Sequence, residues 1–333
     1  MPIGDSTLDL AGVAAAISTS VLWTFTGLLF AAATRRLGPA AVNTLRLAIA
    51  ASLHVLTFRL IAGTWWPPTS NVQFWALVLS GVVGLSLCDL CWLTSLSDLG
   101  PRRVMLLATT SPVFALLLGR SFLDERVTPW ASVGIALTLA GVIWVVLERP
   151  HAQHPEARPH ATRGVILAIL AAALQAAGSL FSKIGMGHGD VAGALGFAGP
   201  LEPVSPQAAA CARTVFGLLG TIPLLVIAGA RAGAILQPSR LPGAPPERSP
   251  IRFGLATCAI GALTGPYLGV WLSLIAFDRA PLGIAQTLLS LQPVLVLPLA
   301  AWFFNDRITF RAAGGALLAV AGSIVLALLG GST

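Results

Sequence analysis

The sequence predicts an all-α integral membrane protein of ten transmembrane helices, arranged as two inverted five-helix repeats. Three observations carry that expectation. The 333 residues are 56% hydrophobic and only 10% charged, with a mean hydropathy of +0.83. The apolar residues fall into ten runs of spanning length. One of those runs, together with the short polar exit behind it, occurs twice.

Composition excludes most soluble classes. A soluble domain carries about 25% charged residues, so this chain cannot cover a water-facing surface and most of its outside faces lipid. A net charge of +7 and a pI near 10.5 would suggest nucleic acid as the partner of a soluble protein. Here the basic residues sit in short gaps between apolar runs, with Lys183 as the single lysine. They read as loop charges that set orientation in the bilayer, and no nucleic-acid partner is expected. Cys88 and Cys91 form a CxxC inside an apolar run without a second pair, and His151, His154 and His160 lie in a Pro-rich tract. Neither pattern supplies a rigid ligand set, so no metal or cofactor is expected.

Spans of about 17–25 apolar residues cross a bilayer as helices, and ten runs qualify: 10–34, 39–61, 73–96, 103–120, 128–147, 164–183, 208–230, 253–276, 281–304 and 311–330. The first follows "MPIGDSTLDLAG", which has Asp5 and Asp9 but no basic stretch, so it is expected to stay as a helix rather than be cleaved as a signal. Arg120 cuts the fourth short. In the eighth, Gly261, Gly265 and Gly269 recur every four residues with Pro266 among them, a pattern for close packing and a kink. Pro112 and Pro293 offer similar kinks in the fourth and ninth. Three Pro- or Gly-rich connections, 148–163, 186–206 and 231–252, read as exposed loops.

The repeat divides this series in two. "SPVFALLLGRSFLDERVTPW" (111–130) and "QPVLVLPLAAWFFNDRITFR" (292–311) align residue by residue, with Pro112 on Pro293, Glu125 on Asp306, Arg126 on Arg307 and Thr128 on Thr309, 181 positions apart. The same shift puts Gly134 on Gly315 and Gly141 on Gly322. A shift of 167 puts Pro39 on Pro206 and Arg46 on Arg213, and one of 152 puts Gly12 on Gly164 and Leu28 on Leu180. The halves are therefore expected at 1–150 and 164–333, with 151–163 as linker. Five helices per half is an odd number, so the second half enters the membrane from the other side. That is the inverted-repeat plan of secondary transporters, with a binding site between the halves.

At "PVFALLLGRSFLDERVTP" the chain resembles the closing segment of an EamA repeat, and two such repeats resemble the ten-helix branch of the drug/metabolite transporter superfamily. The resemblance covers nearly the whole chain. It departs at Asp306, where the pattern has Glu, and in the longer 186–206 loop. It implies a multi-pass protein of the cell (inner or plasma) membrane that moves a small metabolite: amino acids, sugars, nucleotide sugars or phosphorylated compounds are carried by known members. An amino acid-like or other small anionic or zwitterionic compound, moved outward, is the reading adopted.

Ionisable residues inside a span are costly and face a cavity or a partner. Arg46 in the second run and Asp89 in the third lie at similar depth from the same face and can pair. Such a pair is either a buried structural salt bridge or a gate, with a carboxylate that takes a proton; proton coupling and exchange both stay open. Arg213 repeats Arg46 in the second half, but the position answering Asp89 is Val270. Its anion is then a substrate carboxylate or phosphate held bidentately, or Glu202 or Asp278 in the loops, unless it snorkels to the interface. Trp23 and its equivalent Gln175, together with Trp92, Tyr267, Trp271 and Asn43, are expected to line the cavity. His54 is the only histidine inside a run.

Two other classes compete. An intramembrane enzyme needs a serine in a GxSxG-like setting with a facing histidine, or a His/Asp/Glu cluster, and the sequence has neither, so no enzyme is expected. A channel or scaffold without carrier activity would share the helices but not saturable exchange of a substrate. Orientation divides the observations. The loops on the side of the N-terminus hold Arg59, Arg120, Arg126, Lys183 and Arg279, against thirteen arginines on the other side. The positive-inside rule thus puts the termini outside, whereas the resemblance implies cytoplasmic termini. One chain with two halves makes a monomer sufficient without requiring one.

Overall fold

The computed structural model describes residues 9–99, 101–125, 128–147, 160–189, 202–230, 251–292, 294–295 and 310–329. Among these the chain is helical, in ten elements numbered here in chain order. They are α1 Leu10–Leu37, α2 Pro39–Ala62, α3 Asn71–Leu99, α4 in two pieces (Pro101–Ala108 and Ser111–Phe122), α5 Pro129–Leu147, α6 Ala161–Gly185, α7 Pro206–Ala230, α8 Ile251–Arg279, α9 beginning with Leu282–Leu289, and α10 Phe310–Leu329. α2, α3, α6, α8 and the Leu10–Thr34 part of α1 are each long and apolar enough to cross a membrane. Pro293, Asp306, Arg307, His151, His154 and most of the three long connections lie outside the described residues.

Local chemistry sets the helix ends. Asp9 caps α1 by accepting from the Ala11 N–H at 2.9 Å. That bond, and then Arg279 at 2.5 Å, hold its carboxyl below the usual range. Gly38, at φ 79°, reverses the chain in one residue before Pro39 opens α2. Ser70 and Gln73 form a capping box at the start of α3.

Among the described residues four helices are irregular, and the irregularities pair off at the shift of 181. α3 passes through a π-helical stretch at Val82–Leu87, and α8 through one at Leu263–Gly269. α4 breaks at Thr109 and Thr110, and α9 turns at Ser290 and Leu291. Pro112 therefore starts the second piece of α4, where its missing N–H costs nothing, instead of kinking a continuous helix.

The glycines expected to allow close packing do so. Gly261, Gly265 and Gly269 of α8 sit directly against Phe30, Thr26 and Trp23 of α1. α5 and α10 pack on each other extensively. The contact is reciprocal: Gly141 meets Gly315 and Ala319, while Gly322 meets Gly134 and Thr138. Moving back along α5 from Gly141 to Gly134 carries the contact forward along α10, so these two equivalent helices run antiparallel.

Ion pairs at the helix ends repeat with their charges exchanged. The start of α1 meets the end of α8 through Asp9 and Arg279 at 2.5 Å. The start of α6 meets the end of α3 through Arg163 and both oxygens of Asp98, at 2.7 and 2.9 Å. Gly12 and Gly164 make the backbone approach at each.

A side chain at Gly141 or Gly322 would collide with backbone, whereas Gly314, on the same α10, has nothing within 4 Å of an added Cβ. Gly141→Leu and Gly322→Leu should each destabilise the purified protein by about 1–3 kcal/mol through overpacking. Gly314→Ala should be neutral or stabilise by up to about 1 kcal/mol. Thermal unfolding in detergent reads all three, and equal losses would show that the contact is not specific.

Candidate functional site

α1 to α4 and α6 to α9 surround a cavity of about 1080 Å³, its open mouth included. Neither α5 nor α10 contributes to its lining among the described residues. All four irregular segments reach it: Leu85 and Cys88 at the π stretch of α3, Gly265 and Pro266 in that of α8, Thr109 and Ser111 at the break of α4, and Ser290 and Gln292 at the turn of α9. Non-helical backbone at membrane depth is tolerated where protein buries it or a cavity gives it water. α2 satisfies one loosened carbonyl in each π stretch: Asn43 donates to Ser86 O at 3.2 Å, and His54 Nε2 meets Pro266 O at 3.2 Å.

Of the residues expected at the site, Trp23, Arg46, Asp89, Trp92, Gln175 and Arg213 line the cavity. Arg46 and Asp89 form the ion pair that their depths allowed. Arg46 Nε and Nη2 also donate to Asn43 Oδ1 at 3.0 and 2.8 Å, and its guanidinium lies 5.3 Å from the centre of the Phe30 ring. Asn43 thus braces Arg46 and is not itself part of the lining. Tyr267 and Trp271 also stand outside it. The Tyr267 hydroxyl bonds Thr57 at 2.8 Å and its ring meets that of His54 at a tilt, with centroids 4.9 Å apart, which turns it towards α2.

Arg213 is the largest fully buried side chain among the described residues, with 1% of its surface exposed. Its Nε has no hydrogen-bond partner. Neither loop acid proposed for it is its partner: Asp278 pairs with His188 at 2.9 Å, and Glu202 is exposed, its carbonyl taken by Gln73 at 2.5 Å. Full burial also rules out snorkelling. α7 approaches α3 closely because Gly81 faces the Arg213 carbonyl and Gly84 faces its guanidinium, where a Cβ would stand 2.8 Å from Nη2. Among the described residues Arg213 makes no ion pair, and the acid that acts on it through space, Asp89, is already bonded to Arg46; a buried cation so placed is expensive.

At the end of the bundle where α1 begins and α6 finishes, a second buried pair joins three elements. Lys183 is ion-paired with Glu125 Oε1 and donates to Ala280 O at 2.8 Å, while Glu125 Oε2 accepts from the Leu282 N–H at the start of α9 at 2.7 Å. Lys183, counted from the sequence as a loop cation, is 5% exposed. Its removal from the loop count strengthens the imbalance between the two sides. The cavity's lining from α1, α3 and α6 lies towards the opposite end, at Phe30, Trp92 and Ala168.

Sequence reasoning also missed Thr26, Ser111, Ser273, Gln286, Ser290 and Gln292 in the lining. Their signal was available as hydroxyls and amides inside apolar runs. Thr26 reaches Thr264 at 2.7 Å, and Gln286 Oε1 accepts from Ser179 at 3.4 Å.

The comparisons agree with this architecture. No curated protein matches the chain. A crystal structure of another protein superposes with a TM-score of 0.65 at 19% identity, covering 95% of this chain and 97% of that one, a likeness that shows the fold alone. The model of the EamA-like transporter family matches twice, at residues 10–147 and 162–328. The chain belongs to the EamA-like transporter family and is a multi-pass membrane protein.

Proposed function

We propose that the chain is a carrier that moves a small anionic or zwitterionic metabolite out of the cell by alternating access. Its halves, 1–150 and 164–333 joined by 151–163, each cross the inner or plasma membrane five times in opposite senses. The antiparallel, reciprocal contact of α5 with α10 supports the inverted plan, because equivalent helices in parallel repeats would run the same way. The observation that carries the function is the cavity between the halves: all four irregular segments converge on it, and Arg213 stands in it without an ion pair among the described residues.

In this reading the substrate anion neutralises Arg213, and the aromatic rings of Trp23 and Trp92 flank the rest of the molecule. Asp89, held by Arg46, is the group that can exchange its partner for a proton. The π stretches and the two helix breaks are the places where the helices bend as the cavity changes sides. The Glu125–Lys183 pair shuts one end by tying α9 to α6, and it must part for the cavity to open there. The equivalents of Lys183 and Leu282 in the other half are Ala31 and Pro101, which offer neither an ammonium nor an N–H. The opposite end cannot be shut by the same device.

Two measurements test this. The medium of cells expressing wild type, Arg213→Ala or an empty vector should show a compound that accumulates with the wild type alone. Equal export by Arg213→Ala would remove that arginine from the substrate site, and three identical profiles would overturn outward transport. For the pair at the closed end, Glu125→Gln and Lys183→Met should each destabilise by about 3–5 kcal/mol, since either leaves a buried charge alone. The double variant should lose less than their sum. Additive losses in thermal unfolding would show that the two side chains do not act together.

A further inference from the structure

The charge balance of the cavity carries a narrower statement, which rests on the reading of Arg213 as the cation that holds the substrate. Three charged side chains line the cavity among the described residues: Arg46, Asp89 and Arg213. Asp89 is ion-paired with Arg46, whose Nε and Nη2 also donate to Asn43, and it reaches Arg213 only through space. The charge left over is the guanidinium of Arg213, with its Nε unbonded. The lining is therefore one positive charge in excess, in a wall that joins Trp23, Phe30, Leu85, Trp92 and Leu289 to neutral hydroxyls and amides such as Thr26, Ser111, Ser290 and Gln292.

We infer that the ligand is an organic monocarboxylate with an apolar or aromatic body and no ammonium group. A carboxylate presents two oxygens to a planar fork of N–H donors, which is the geometry arginine matches best. One carboxylate brings the cavity to neutrality, and the apolar wall receives the rest of the molecule. An α-ammonium group would enter beside the same carboxylate and so beside the guanidinium. The one acid in the lining is already engaged, so the ammonium would be desolvated next to a like charge. Burying a charge without a partner is the arrangement proteins avoid most strictly. Of the neutral polar groups in the wall, Gln175 and Gln286 each have their amide oxygen in contact with a donor of the protein, Cys88 at 3.7 Å and Ser179 at 3.4 Å, and hydroxyls such as Ser111 carry no charge to set against an ammonium.

The test uses the purified full-length protein and two matched sets of small molecules with the same side-chain bodies. One set is hydrocinnamate, phenylalanine and phenethylamine; the other is isocaproate, leucine and isoamylamine, each amine being its amino acid without the carboxyl carbon. Ligand-induced change in melting temperature and equilibrium binding of the labelled compound are read for each. At least one acid is expected to bind, with its amino acid weaker by about tenfold or more, a step of one decade in Kd, and its amine without effect. Arg213→Gln is expected to abolish binding of the acid and Arg213→Lys to retain part of it.

The outcomes separate the two readings. An amino acid that binds as tightly as its acid, with both lost in Arg213→Gln, leaves the anion site standing and overturns the monocarboxylate. No binding of either acid to the wild type overturns both. Acid binding that survives Arg213→Gln removes Arg213 from the site. Should that variant not fold, the ranking of acid, amino acid and amine on the wild type still decides the matter.

Discussion

In hydrocarbon, a backbone amide or carbonyl released from its helix has no water to bond, so any irregular stretch must be enclosed by protein or border a wet space. Among its described residues this chain carries four such stretches, in α3, α4, α8 and α9, and it places all of them around one cavity. Much of the remaining structure follows. α2 has to lie where Asn43 and His54 can reach Ser86 O and Pro266 O. α1 has to lie flat on the glycines of α8, with Thr26 bonded to Thr264. α5 and α10, which have nothing to seal, are free to pack on each other at the margin.

Burial then decides which charges are tolerated. Arg46 is paired with Asp89 and braced by Asn43, so three polar groups offset one another's loss of hydration. Arg213 has the same place in its half without the acid, because Val270 stands where Asp89 would be. Two halves with one backbone plan thus present different electrostatics to the same cavity. At the helix ends the exchange is milder: Asp9 with Arg279 and Arg163 with Asp98 make the same joint with donor and acceptor reversed.

Much of this was legible in the sequence because lipid imposes a strong signal. Apolar length marks the helices, the shift of 181 marks the repeat, and counting residues from the helix ends puts Arg46 and Asp89 at one depth. Depth, however, gives no direction around the helix axis. In an all-apolar helix little polar patterning distinguishes the face towards the cavity from the face towards lipid. That is why Tyr267 and Trp271 were expected in the lining and instead stand beside it, with Tyr267 turned to α2. Lys183 was misplaced for a related reason: a lone cation at the end of an apolar run looks like a loop charge, and only the fold brings Glu125 to it. The π stretches leave no mark in composition, apart from the proline in one of them.

The reciprocal seam between α5 and α10 has a consequence for how such a chain can arise. A surface that meets its own equivalent across a two-fold axis is self-complementary. A single five-helix unit bearing it can therefore associate with a second copy of itself inserted the other way up, before any linker exists. Joining the two into one polypeptide removes the requirement that they stay identical. Once fused, one copy can drop an acid and the other gain a lysine, and the two sides of a once symmetric molecule come to differ.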